Sequence, residues 1–259
     1  MQYIRNDRFI EEWKQFENIY IFPLGDAHNG AHTSLENDFK EYINLGLSLP
    51  NAYFIWMGDL LEMGGRNSPG TSLFHQIKQP QEQYDWVIET LTPVAHKSIL
   101  YHSANHERRI ETATGIDISK NIARELKIPY APLMAMTRIV LKNQAYNIHS
   151  FHGSGGARLP HTKIQAHKNA IRFLEGFDIY LMGHVHYDYN EEFLIKRLNL
   201  KLKTPETVFG HRILTGHFLE WDESYAEEKG FEPLPSGAPI IELNALEHDI
   251  RIRKLKDFK

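Results

Sequence analysis

Five consecutive apolar residues, Tyr53-Phe54-Ile55-Trp56-Met57, stand between Pro50-Asn51 and Gly58-Asp59. A run this short, with turn residues on both sides, predicts a strand buried on both faces. The run ends on a carboxylate, Asp59, and Gly58 lets the backbone turn sharply and approach another group closely. Open α/β sheets place their ligands at the carboxyl ends of such strands. Taken singly, a Gly-Asp strand end is explained equally well by turn chemistry.

The pattern recurs along the chain. Asn18-Ile19-Tyr20-Ile21-Phe22-Pro23-Leu24-Gly25 reads as a second buried strand and ends at Asp26-Ala27-His28. Between the two, Thr33 to Leu49 predicts a helix with Ser34 as its cap, Asp38 and Glu41 favouring its start, and Leu35, Phe39 and Ile43 on one face. The order β–α–β is that of a parallel pair with a crossover helix. A short amphipathic helical piece over 8–18 precedes it.

Further on, 64–70 reads as a Gly/Asn/Ser/Pro-rich loop and 73–96 as helical around Tyr84, Trp86 and Leu91, together a helical insertion over about 64–97. Ser98 to His102 predicts a third strand, ending at Asn105-His106-Glu107, and Ile116 to Leu126 a helix capped by Asp117. Met134–Leu141 and Tyr146–Phe151 predict an antiparallel pair whose second strand ends at His152-Gly153. After the loop Gly153-Ser154-Gly155-Gly156 comes a helix over Thr162–Glu175, then a strand over Asp178–Met182 ending at Gly183-His184-Val185-His186. From about 189 to 259 the chain is β-rich, with short segments at Phe193–Leu202, Thr207–Gly216 and Pro239–Leu243. With no internal repeat or long linker, residues 1–259 are expected to form one domain.

Composition removes several classes of chemistry. There is no cysteine, which excludes thiolate zinc sites, redox motifs and thiol nucleophiles. Any metal must be held by imidazole, carboxylate and amide groups, which suit Mn, Fe, Zn, Ni or Mg. The net charge of −4 gives no global basic field for nucleic acid. Met1 to Glu12 lacks the apolar core of a signal peptide, and no apolar run approaches the ~20 residues of a membrane span, so a cytoplasmic location away from membranes is expected. The 15 histidines are the compositional oddity.

Histidines are what the remaining strand ends carry. Asp26, His28, Asp59, Asn105, His106, His152, His184 and His186 all follow predicted strands. Carboxylates, imidazoles and one amide oxygen in this number exceed the coordination of one ion. They suit two divalent cations roughly 3.5–4 Å apart with one carboxylate bridging.

The series Asp26-Ala27-His28, Gly58-Asp59, Asn105-His106-Glu107, His152-Gly153 and Gly183-His184-Val185-His186 resembles, in order, the motifs of the calcineurin-like metallophosphoesterase family. Ala104 departs from the glycine usual before the Asn-His motif. The resemblance implies a four-layer αββα sandwich, with mixed sheets flanked by helices. It also implies a site in which Asp26, His28 and His186 hold one metal, Asn105, His152 and His184 hold a second, and Asp59 bridges. A hydroxide between the ions would be the nucleophile and His106 the acid, with Glu107 orienting its ring. The stretch Trp221-Asp222-Glu223-Ser224-Tyr225-Ala226-Glu227 resembles a tail of phage and prophage members.

The activity so implied is a manganese-type dinuclear phosphoesterase acting on phosphodiesters. A DNA or RNA nuclease, a nucleotide phosphodiesterase, a phosphomonoesterase or phosphoprotein phosphatase, and a non-catalytic metal-binding scaffold are the alternatives. Arg108, Arg109 and Arg158 are candidates for substrate phosphate contacts, with a solvated face or an ion pair as the competing reading. Glu62 reads as a surface or helix-start residue. His161, His167, His211 and His217 read mostly as surface or packing residues, with a weaker flag on His217 because the β-rich half should return some strand ends near the metals.

Overall fold

The computed structural model describes residues 1–65, 68, 76–199 and 202–259, and residue 225 through its backbone alone. Two mixed sheets of six strands each are flanked by helices. The first sheet holds β2 (Asn18–Leu24), β3 (Ala52–Trp56), β4 (Ser98–His102) and β5 (Tyr130–Ala131) in parallel. Beyond β2 it adds β11 (Ile240–Asn244) and β12 (Ile250–Arg253), each antiparallel to its neighbour. The second sheet runs β1 (Gln2–Ile4), β6 (Ala135–Val140), β7 (Ala145–Phe151), β8 (Ile179–Met182), β10 (Thr204–Thr215) and β9 (Asp188–Asn199).

The helices are α1 (Ile10–Trp13), α2 (Glu36–Ser48), α3 (Pro80–Leu91), α4 (Arg108–Thr114), α5 (Ile118–Glu125), α6 (Pro160–Ile171) and α7 (Tyr225–Glu228). Asp117 caps α5 as expected, accepting from the Lys120 N–H at 2.9 Å. Ser34 does not cap α2: its hydroxyl donates to the Ala27 carbonyl, and the helix begins later, after Leu35. Helix α6 starts earlier than periodicity suggests, because Pro160 at its first position has the φ a helix needs and lacks only an N–H that would be unpaired there. Of the 64–97 insertion, α3 and a 3-10 turn at Thr92–Lys97 are observed, while 66, 67 and 69–75 lie outside the described residues.

Strand β3 shows why the sequence folds this way. Tyr53 and Ile55, with Met57 after them, face one side, and Phe54 and Trp56 the other, following the two-residue period. The first side packs with Ile148, Ile179, Leu181 and Ile213 of the second sheet. The second side packs with Phe39 and Ile43 of α2 and Trp86 and Val87 of α3. Trp56 and Phe54 are fully buried, each worth roughly 1.5–3 kcal/mol of apolar transfer. Trp56 Nε1 is satisfied by Ser98 Oγ at 2.9 Å. A third apolar cluster, with Phe151, Ile171, Tyr180 and Leu214, lies under α6. Among the described residues no helix is long and apolar enough to cross a membrane.

Candidate metal centre

Register brings the strand ends together. Leu24 pairs with Trp56, and Trp56 with Tyr101, in the first sheet. In the second, Phe151 pairs with Met182 and Met182 with Leu214. Each strand therefore stops level with its parallel neighbours. The residues immediately beyond them are Asp26, His28, Asp59, Asn105, His106, His152, His184, His186 and His217.

The turns after these strands are strained. Asp26, His28, Asp59, His184 and His186 have φ between 46° and 68°, five of the nine non-glycine residues with positive φ among those described. Such a conformation costs of order 1–3 kcal/mol per residue and persists where surrounding structure enforces it, commonly at functional sites. Two glycines are required by contact. A Cβ on Gly58 (φ +89°) would stand 2.5 Å from the Ala104 Cβ, and one on Gly183 would stand 2.9 Å from Asp26 Oδ2. Ala104 is thus accommodated opposite a glycine.

Three groups of donors converge at this edge, the ligand atoms of each lying within 4.8 Å of one another: Asp26, His28 and His186; Asp59, His152 and His184; His28, Glu62 and His106. In the first, His186 Nε2 lies 3.3 Å from Asp26 Oδ1 and 3.1 Å from His28 Nε2. Asp26 is fully buried and also accepts from the His184 backbone N–H at 3.0 Å. Burial alone would raise its pKa, but the hydrogen bond and charge of His186 outweigh that and hold it below the usual carboxylate range. Burial holds His184 and His186 below the ordinary imidazole value.

In the second group His152 Nε2 lies 2.8 Å from Asn105 Oδ1 and 3.1 Å from Asp59 Oδ2. Asp59 Oδ1 accepts the His106 backbone N–H at 2.9 Å, while the buried Oδ2 faces the His152 ring nitrogen. Burial opposes ionisation of Asp59, yet the charges of His152 and His106 hold its pKa well below the ordinary value. In return, against its own burial, Asp59 carries His152 up to about 9.

The tautomers decide what fits between these groups. His152 Nδ1 donates to the Met57 carbonyl at 2.8 Å, and His184 Nε2 to the Gly155 carbonyl at 2.8 Å. His28 Nδ1 donates to Glu62 Oε2 at 3.2 Å. That leaves His152 Nε2, 2.8 Å from Asn105 Oδ1 and 3.1 Å from Asp59 Oδ2, and His28 Nε2, 4.0 Å from Asp26 Oδ1, on the side of the acids. The positive charge that His152 carries in answer to Asp59 is one a divalent cation would supply in its place, which would free Nε2 as a ligand atom. The donor set of both groups fits divalent metal ions.

The third group corrects two expectations. Glu62 is buried, not at the surface, and receives His28 Nδ1, His106 Nδ1 at 3.1 Å and Arg109 Nη1 at 3.1 Å. Burial opposes its charge, but these partners hold it deprotonated far below the usual range. Glu107 does not orient His106. Its carboxylate accepts from the backbone N–H groups of Leu60 at 2.9 Å, Asp59 at 3.3 Å and Leu61 at 3.4 Å, and so fixes the loop after β3. Burial and the Asp59 charge push Glu107 up to about 8. Glu62 occupies the orienting place assigned to Glu107. An acid set among Leu60, Leu61 and Met63 is the sequence signal for it, since apolar neighbours on both sides mark a segment heading inward.

The arginines divide. Arg109 Nη2 lies 3.0 Å from His106 Nε2. Arg108 instead bonds Ser103 Oγ and the Pro132 carbonyl, tying α4 to the β4–β5 side, and Arg158 lies over the Phe231 ring at 5.8 Å. His217 is buried and stacks on His186, centroids 5.5 Å apart. His167, on α6, is buried in packing against Phe151. Trp221 to Glu227 form a surface turn in which Trp221 Nε1 donates to the Phe231 carbonyl.

No family model matches the sequence, and no curated protein does. Among solved structures the chain is similar to a conserved uncharacterized protein from Streptococcus pneumoniae TIGR4, described as a predicted phosphoesterase. The identity is 12% and the TM-score 0.40, over 93% of this chain and 92% of that one. A likeness of this size carries no functional argument.

Proposed function

We propose that this chain is a dinuclear metal-dependent phosphoesterase of the calcineurin-like type, cleaving phosphodiesters. The reading rests on one observation: two neighbouring donor sets, Asp26/His28/His186 and Asp59/Asn105/His152/His184, meet where strands of both sheets end, beside His106. In this reading each set holds one divalent ion, with Asp59 shared. Manganese is the first choice, and Fe, Zn, Ni or Mg suit the same donors. Two such ions supply positive charge for phosphoryl oxygens and lower the pKa of water towards neutrality.

The chain's own groups do the rest. Glu62 takes the Nδ1 proton of His106 in a hydrogen bond, which leaves Nε2 as the atom that handles a proton. Burial disfavours the imidazolium, but Asp59 and Glu62 outweigh it and raise the His106 pKa, which suits a donor to a poor leaving group. Arg109 Nη2 donates to the same Nε2 when that nitrogen is unprotonated, and its charge works against the imidazolium. Glu107 keeps Asp59 in place through the backbone.

The reading extends to architecture. The three apolar clusters support a helix–sheet–sheet–helix layering. A single domain over 1–259 is supported by interleaving: the first strand of the chain lies in one sheet and the last in the other.

The test is hydrolysis by purified protein, loaded in turn with Mn²⁺, Zn²⁺, Fe²⁺, Ni²⁺ or Mg²⁺. Substrates are bis-p-nitrophenyl phosphate, p-nitrophenyl phosphate, nucleotides, and single- and double-stranded nucleic acids. Metal-dependent cleavage with diesters fastest is expected. No cleavage of any of them under any metal removes the enzymatic reading.

A further inference from the structure

The β9–β10 ribbon outruns the rest of its sheet. Strand β10 pairs with β8 only over His211–Leu214, whereas it pairs with β9 from Thr204 to Thr215. The two faces of the protruding part differ. On the face turned to α6, Phe193 folds over Gly210, where a Cβ would stand 2.7 Å from its ring. On the opposite face the cross-strand pair Leu194 and Phe209 is 58% and 55% exposed, and Leu198 is 60% exposed. Glu192 and Lys196 flank Leu194 on this face and are exposed as well. Strand β9 is the last in its sheet, with no strand paired beyond it among the described residues.

Charge on an edge strand ordinarily discourages strand addition. Here the signs have a symmetry that turns them the other way. An antiparallel second copy of β9, centred on Leu194, sets Glu192 opposite Lys196, twice by the two-fold axis, while Glu191 keeps Lys168 and Arg212, and Arg197 keeps Glu206, within the chain. The same register places Leu194 against its own copy. Any shift by two residues breaks the charge match, so the pattern selects one register.

We propose that the chain forms a two-fold dimer by antiparallel pairing of β9 with β9 of a second copy, joining two six-stranded sheets into one. The occupant of the free β9 edge is this same protein. The pairing leaves the metal-ligand candidates untouched and does not depend on the phosphoesterase reading.

Sedimentation velocity and light scattering of the full chain test it, with circular dichroism to verify folding. The wild type is expected at twice the 30.2 kDa chain mass. Glu192→Lys and Lys196→Glu, each alone, put like charges opposite one another and should weaken dimerisation roughly tenfold or more. Mixing these two variants in equal amounts restores opposite charges across the axis and should return the dimer as a mixed species. The double variant Glu192→Lys/Lys196→Glu should dimerise like the wild type. Leu194→Arg should be a folded monomer. A monomeric wild type overturns the proposal, as does a dimer indifferent to the single charge reversals or one that mixing fails to restore.

Discussion

Replacing Glu62 by glutamine keeps the side chain's size and removes its charge. In the native site the carboxylate receives His28 Nδ1 at 3.2 Å, His106 Nδ1 at 3.1 Å and Arg109 Nη1 at 3.1 Å. An amide offers one acceptor oxygen, and its NH₂ must then face an imidazole N–H or the guanidinium. One imidazole therefore loses the partner that fixes its tautomer. A carboxylate orienting a metal-ligating histidine typically contributes 10–100-fold in affinity, about 1.4–2.7 kcal/mol. Only His28 among the proposed ligands touches Glu62, so the loss should fall on one site.

Metal-buffered titration should therefore show the first ion bound about 10–100-fold more weakly in Glu62→Gln, and the second within about threefold of the wild type. Turnover at saturating metal should also fall, because His106 loses the same partner. Glu62→Asp retains the charge and should recover part of both effects. Equal weakening of the two ions, or unchanged binding, would refute the idea that Glu62 acts through His28.

His106→Ala should leave metal content near that of the wild type and lower turnover by about 10²–10⁴, measured on the diester substrate; loss of metal would instead make His106 a ligand. Gly58→Ala meets Ala104 at 2.5 Å with φ +89° and should cost about 2 kcal/mol or more by denaturant unfolding. Adding Ala104→Gly should recover part of that cost, and no recovery would rule out the contact as its source. His149 and His167 are buried, with both His149 ring nitrogens and His167 Nε2 unpaired, and burial holds them at about 4 and about 3. Their folded pKa lies below the unfolded value near 6.5, so their contribution is full above that pH and is lost as pH falls towards the folded values. Each should remove about 2 kcal/mol between pH 7 and 5; an unchanged pH slope of unfolding free energy in His149→Phe would contradict this.

What sequence reveals here follows from what is local. The doubly buried strands are legible because β3 is apolar at every position, and the strand-end acids and histidines because parallel register aligns them. Partner choice within the site is not local. Glu62 and Glu107 both follow site residues closely, yet which one meets His106 depends on how the loop after β3 turns, with Asp59 and Met63 at positive φ. Strand β1 is too short, and β12 too mixed in polarity, to signal themselves. Each is recruited by an existing edge, beside β6 and β11. The length of β9 was also hidden, because Asp188, Glu191 and Glu192 interrupt the apolar pattern at positions that pair with salt-bridge partners or stand in solvent.

Metal stoichiometry tests the paired donor sets most directly. Protein stripped with chelator, reloaded with Mn²⁺ and freed of excess should carry two ions per chain by elemental mass spectrometry. Asp59→Asn, which alters the carboxylate proposed to be shared, should fall well below two with both ions weakened. One ion or none in the wild type, or two tightly held ions in Asp59→Asn, would contradict the shared site.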